Sequence, residues 1–298
     1  MPPSPQVTSL LTNDQLMRIE RLRLAALRRF TNRSSGEHRT RRSGSSNEFC
    51  DYRDYVPGDD IRYVDWNIFA RLHRPYIKLF MEQEQMHVVL LVDASASMLF
   101  EDKLLRARQL AAALGVASLL GGEATSVAVF GPDEGGLSRM GPRTGRAGMR
   151  ELFDFLQRFE GGGDGVLEQG IDRLLRIHRG RGAVIVISDF LTGGDVRRAM
   201  SSLFSRGLEV YALQIECPTE IDPQVTSDLR LIDSETQQHL DITATGDLMN
   251  LYQTYRMSHQ RRLEQWCRQR SGRHLAVSSA EPLDRLLFDR LRRKGWVV

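Results

Sequence analysis

Cysteine is scarce in this 298-residue chain: Cys50, Cys217 and Cys267 are scattered and form no Cys-x-x-Cys pair. That excludes a disulfide framework and a thiolate zinc site, leaving the three as small core residues or exposed reduced thiols. Long apolar runs are missing as well. None approaches the roughly eighteen residues that cross a bilayer, and MPPSPQVTSLLTNDQ at the N-terminus has neither a basic start nor a continuous apolar region. The chain is therefore expected to lack a membrane span and to be cytoplasmic. No Gly-x-x-x-x-Gly-Lys-Ser/Thr loop occurs, so nothing in the sequence cradles ATP. The seven histidines, at 38, 73, 87, 178, 239, 259 and 274, show no pairing at ligand spacing and read as structural or surface residues. Net charge is only +3, although Arg18 to Arg42 holds nine arginines against two glutamates. These basic stretches lack the aromatic interleaving of a single-strand binder, which argues against nucleic acid and for a solvated arginine-rich helix.

Hydrophobic residues make up 41% of the chain, enough to fill the core of one large domain or two smaller ones. Residues 1–12 read as disordered. Asn13 is placed to cap a helix with Leu16, Ile19, Ala26, Leu27 and Phe30 on one stripe, and Asn32 to Ser46 reads as a flexible loop. Val56-Pro57-Gly58-Asp59 predicts a type II turn, and Tyr76 to Phe80 alternates as a strand does. From Val88 onward apolar runs alternate with helical periods. The expected elements are strands at Val88–Val92, Ser126–Phe130, Gly182–Ser188 and Leu208–Ile215, and helices at Lys103–Leu120, Arg146–Phe159, Val166–Arg179 and Gly194–Ser205. Such alternation implies a doubly wound α/β fold with a mostly parallel sheet covered on both faces. Beyond Pro218 the pattern turns α+β, with a strand pair in DLRLIDSETQQHLDI, a long helix from Asp247 to Arg270, RHLAVSS, and a last helix from Pro282 to Arg293.

In open α/β sheets ligands bind beyond the carboxyl ends of the strands. VVLLVDASASM puts Asp93 at one such end, with Ser95 and Ser97 on alternate residues of the following loop. GAVIVISDF ends a second strand on Asp189, and EGGGDG carries Asp164 on a loop that its glycines allow to approach closely. Carboxylates and hydroxyls without histidine or thiolate form a hard oxygen set, suited to Mg2+, Mn2+ or Ca2+ rather than zinc. The competing reading is helix capping and loop hydrogen bonding by the same residue types.

Asp-x-Ser-x-Ser after a buried strand, with a later strand ending Ser-Asp, resembles the metal-ion-dependent adhesion site of von Willebrand factor A domains. NEFCDYRDYVPGDDIRYVDWNIFAR is similar to the hallmark segment of bacterial domain-of-unknown-function family 58 proteins, which carry such a domain. The resemblance runs from about Ser43 to the C-terminus. It implies Asp93, Ser95 and Ser97 as direct or water-mediated metal ligands and Asp189 as the acid from the later strand. The threonine usual in the intervening loop is replaced by Gly163, followed by Asp164, which leaves that loop without its hydroxyl. The resulting division is a basic helix and loop (1–42), a charged and aromatic arm (43–83), the A-like domain (84–218) and an α+β extension packed on it (219–298).

In the arm, Asp51, Arg53, Asp54, Asp59, Asp60, Arg62, Asp65 and Arg71 alternate in sign. They read either as ion pairs fastening an irregular arm to the α/β domain, with Tyr52, Tyr55, Tyr63 and Trp66 filling the contact, or as a docking surface. The resemblance further implies a non-enzymatic protein-binding module associated with MoxR-type AAA+ ATPases in chaperone-like assembly or metal loading. A partner carboxylate would complete the metal site. The alternative is a metal-dependent hydrolase with Asp164 or Asp189 as general base.

Overall fold

The computed structural model describes residues 6–25, 49–80, 86–131, 136–224, 229–234, 238–242 and 246–298. Two compact units emerge, Met1–Arg28 with Met86–Val298, and Arg29–Gln85. In the first, helix α1 (Asn13–Ile19) starts from Thr12 rather than Asn13. The Thr12 hydroxyl accepts from the Gln15 amide at 3.2 Å and the Gln15 side chain accepts from the Thr12 amide at 2.9 Å, a capping box. Thr8, Leu10 and Leu11 are buried, so this end of the N-terminal segment is folded in, contrary to the expected disorder. Two adjacent leucines supply the apolar area that a disordered tail lacks. The helix also stops at Ile19 instead of continuing, because Leu24 leaves it to form a β-bridge with Val297. Ala26, Leu27, Phe30 and the loop from Asn32 to Ser46 lie outside the described residues.

The second unit is more regular than its sequence suggests. Strand β1 (Phe49–Asp54) pairs antiparallel with β2 (Tyr76–Phe80), and helix α2 (Trp66–Leu72) lies between them in sequence. The predicted turn forms, with Gly58 at φ 106° and the Asp59 amide bonded to the Val56 carbonyl at 3.0 Å. Its charges pair within the unit itself: Arg53 with Asp59 at 2.8 Å, Arg62 with Asp60 at 2.6 Å and Lys78 with Asp65 at 3.0 Å. Asp65 also caps α2 through the amides of Asn67 and Ile68. Tyr52, Tyr63 and Trp66 are exposed, the Tyr52 hydroxyl donating to Asp65 at 3.2 Å and the Trp66 ring meeting Phe69 edge-on at 5.9 Å.

The larger unit contains β3 (His87–Asp93), α3 (Lys103–Gly121), β4 (Ala124–Phe130), β5 (Leu137–Arg143), α4 (Ala147–Arg158), α5 (Leu167–Ile177), β6 (Gly182–Ser188) and α6 (Val196–Ser205). It continues with β7 (Glu209–Glu216), α7 (Pro218–Ile221), the antiparallel pair β8 (Leu229–Ile232) and β9 (His239–Ile242), α8 (Gly246–Gln269) and β10 (Arg273–Ser278). Leu283–Arg285, a π-helical turn at Leu286–Arg290 and Leu291–Arg293 form the last helical stretch.

Six strands make one sheet in the order β10-β7-β6-β3-β4-β5, in which β5 runs antiparallel and the other pairings are parallel. This is the expected mixed α/β architecture with a mostly parallel sheet. Val89 and Leu91 of β3 join Val184 and Val186 of β6 under Ile171, Met200, Leu203 and Trp266, which places α5, α6 and α8 on one face. The opposite face carries α3, itself packed against α4 and buried nearly all round. Ala96–Gly121 is long and apolar enough to cross a membrane by length and composition, but 67% of its apolar window is buried inside the protein. A helix covering a parallel sheet has that composition for the same reason.

Two elements depart from the sequence-based division. β5 was not anticipated, since LSRMGPR has little apolar period and contains Pro142. An edge strand tolerates both, because only one side of it is paired and proline cannot donate to a ladder. β10, assigned above to an extension, instead joins the sheet beside β7.

Candidate cation site at the strand ends

Asp93 is the last residue of β3, and Asp189 follows β6 by one residue. Because β3 and β6 are direct neighbours in register, the two acids arrive at one edge from distant parts of the chain. Asp93 is 2% exposed. Its Oδ1 accepts from the Ser95 amide at 2.9 Å and its Oδ2 from the Ser188 hydroxyl at 2.6 Å. The Ser95 and Ser97 hydroxyls stand 3.1 Å apart, so the alternate spacing read from the sequence brings two oxygens to one place. Burial, and then the charge of Asp189, push the Asp93 carboxyl up to about 7.

Glycines let the neighbouring loops close on this point. Gly131, just past β4, has φ 121°, and a Cβ there would lie 2.5 Å from the Ser95 amide nitrogen. The 161–165 loop is fastened to the 94–96 segment by two backbone bonds, Gly162 N to Ala94 O at 2.7 Å and Ala96 N to Gly163 O at 3.0 Å. Gly163 itself sits at φ 73°, a conformation that a β-branched threonine resists. The missing threonine is thus tied to the backbone path of the loop. Asp164, next to it, is exposed and has no hydrogen-bond or ion-pair partner among the described residues. The structure does not draw it into the Asp93 cluster.

Asp189 is placed differently from the other candidates. Its Oδ2 accepts from Lys103 Nζ at 2.8 Å, and the same ammonium reaches Glu220 Oε1 at 2.6 Å. Lys103, Ser188 and Glu220 were not singled out from the sequence. A lysine opening a helix ordinarily reads as solvated, and no sequence pattern marks its burial. Backbone strain gathers here too: Glu101, Asp102 and Phe190 all have positive φ, at 44°, 59° and 59°. Around the polar centre, Leu99, Phe100 and Leu191 are exposed on the same two loops.

The donor set fits a hard divalent cation in part. Asp93 is a buried carboxylate with no lysine, arginine or histidine paired to it among the described residues, and Ser95 and Ser97 supply neutral oxygens beside it. Among the described residues no group of three or more His, Cys, Asp or Glu side chains gathers as a metal site, so such an ion depends on hydroxyls and water for its remaining contacts.

The sequence model of a family described as "Protein of unknown function DUF58" matches residues 51–262. The chain belongs to this family. Uncharacterised proteins of Mycobacterium tuberculosis and Mycobacterium bovis are 30% identical to this DUF58 chain over 206 residues, covering 67% of it. It spans 65% of the length of these curated relatives. BatB from Bacteroides thetaiotaomicron is 17% identical with a TM-score of 0.42, covering 70% of this chain and 98% of that one. An aerotolerance-related membrane protein from Bacteroides fragilis is 18% identical with a TM-score of 0.44, over 70% and 98% of the two chains. Manganese-loaded TRAP from Plasmodium vivax is 15% identical with a TM-score of 0.36, over 44% of this chain and 57% of that one.

Proposed function

We propose that this DUF58 protein is a cytoplasmic, non-enzymatic binding module with a von Willebrand factor A-like domain, whose strand-end site holds one Mg2+ ion and through it a carboxylate of a protein partner. The observation that carries this is the 3.1 Å approach of the Ser95 and Ser97 hydroxyls beside the buried Asp93. Asp93, Ser95 and Ser97 would hold the ion; bound there, it supplies an electrophilic point of attachment for an external oxygen ligand. Mn2+ and Ca2+ share the required preference for oxygen. Asp164 is left to contact through water.

The loops themselves support protein binding. Leu99, Phe100 and Leu191 are 54%, 51% and 54% exposed, and large apolar side chains exposed on neighbouring loops offer the apolar area that a protein contact buries. The partner class, a MoxR-type AAA+ ATPase acting in assembly or maturation of other proteins, is proposed from the family resemblance. Hydrolysis at this site is the weaker alternative, because Asp189, one of the two bases it would use, is held by Lys103 at 2.8 Å. The test is recovery of bound proteins from the native cell with the full chain as bait, under a nucleotide that stalls ATP hydrolysis. An AAA+ ATPase retained in magnesium and lost both in chelator and with Asp93→Ala supports the proposal; none recovered in any condition overturns the partner.

A further inference from the structure

Lys103 stands where neither helix formation nor solvation accounts for it. It opens α3, where the helix dipole disfavours a cation, and its side chain is 1% exposed. A buried ammonium requires opposite charge in contact. Lys103 has it from two separate elements, Asp189 after β6 and Glu220 on α7. Burial draws its pKa down, yet the two carboxylates outweigh that and hold it above its ordinary value.

Both oxygens of each carboxylate partner of Lys103 already meet a donor, one of them the ammonium. Asp189 Oδ1 accepts from the Leu191 amide at 3.0 Å while Oδ2 takes the ammonium. Glu220 Oε2 accepts from the Cys217 amide at 2.8 Å while Oε1 takes the ammonium. Asp93 differs in that its oxygens accept from the Ser95 amide and the Ser188 hydroxyl and no cation is paired to it among the described residues. Lys103 is the cation beside the Asp189 and Glu220 carboxyl groups, and Asp93 lies at the end of the strand next to the one that Asp189 follows.

We infer that Lys103 is a tethered counter-cation that takes Asp189 out of ion coordination and limits the strand-end site to one divalent ion held by Asp93, Ser95 and Ser97. This rests on the cation site proposed above. Lys103 is a positioning residue, acting through Asp189 and through the charge of the site.

The test is thermal unfolding of the full chain over a magnesium titration, with bound Mn2+ counted per chain by electron paramagnetic resonance. Lys103→Met unmasks Asp189 and adds a net negative charge, so half-saturating magnesium should fall about tenfold, and Lys103→Arg should restore wild-type behaviour. Glu220→Gln keeps Lys103 and removes a negative charge, so it should weaken magnesium several-fold. Should Lys103→Met fail to fold, Glu220→Gln and the Mn2+ count decide. One Mn2+ per wild-type chain supports the inference; two overturn it. A wild type that responds to magnesium with unchanged affinity in Lys103→Met and Glu220→Gln overturns the role of Lys103 alone. A wild type that responds to no divalent ion sinks the cation site itself, and this inference with it.

Discussion

Ser188 has two tasks at the end of β6: its hydroxyl donates to Asp93 Oδ2 at 2.6 Å and accepts from the Phe190 amide at 2.9 Å. The second bond braces the chain where Phe190 turns through positive φ. Ser188→Ala leaves a buried carboxylate oxygen and an amide unmatched, so urea unfolding should show a loss of about 2 kcal/mol. Gly131→Ala should cost about 2 kcal/mol or more by the same measurement, because the added methyl at φ 121° meets the Ser95 backbone and not a flexible side chain. Asp93, Ser95 and Ser97 were legible from sequence, because a continuous apolar run ending on an acid and a loop of alternating serines fix where they fall. Lys103 was not, because its meaning depends on two acids 86 and 117 residues away.

Within the sheet, the buried His274 and the half-buried His87 make the strand junctions sensitive to pH. His274 on β10 contacts Gln214 on β7 at 3.0 Å, and burial, then the charges of His259 and Lys294, lower its pKa to about 4. His87 on β3 bonds Ser126 on β4 at 2.8 Å and is likewise lowered to about 4, by burial and then by His178. Both stay neutral in the folded chain while the unfolded chain takes up protons near 6.5. Their contribution is therefore complete above about pH 6.5 and is lost as pH falls toward 4. Melting temperature should drop over that interval, and His274→Asn should make the drop shallower; an unchanged slope would contradict this.

The elements that carry these residues were unequally visible in the sequence. β3, β6 and β7 stand out as continuous apolar runs because both faces of the sheet are covered. β5 and α2 were hidden, one by its edge position and the other inside a charge-rich stretch, where Arg53 pairs with Asp59, Arg62 with Asp60 and Lys78 with Asp65.

At the scale of the whole molecule, the alternation of strands and helices was enough to place the sheet, while the boundary at 218 was not. Residues 273–278 complete the sheet from the far end of the sequence, after a 24-residue helix, and no local signal gives a strand its partner. The same closure makes the strand-end site a product of the whole unit, since Glu220 on α7 reaches Lys103 on α3 and Tyr252 on α8 bonds the Glu220 carbonyl at 2.7 Å. A partner seated there would contact Leu99, Phe100 and Leu191, so Phe100→Asp should weaken partner recovery while leaving the magnesium response intact. Loss of both would place Phe100 in the fold instead.

The most direct measurement is the melting temperature of wild type and Asp93→Ala, each with magnesium and with chelator. An ion bound to the folded state alone raises stability with its concentration. Wild type should melt higher in magnesium, and Asp93→Ala should melt at one temperature in both. A wild type indifferent to the ion, or an Asp93→Ala variant that responds as wild type does, would contradict a cation site at the end of β3.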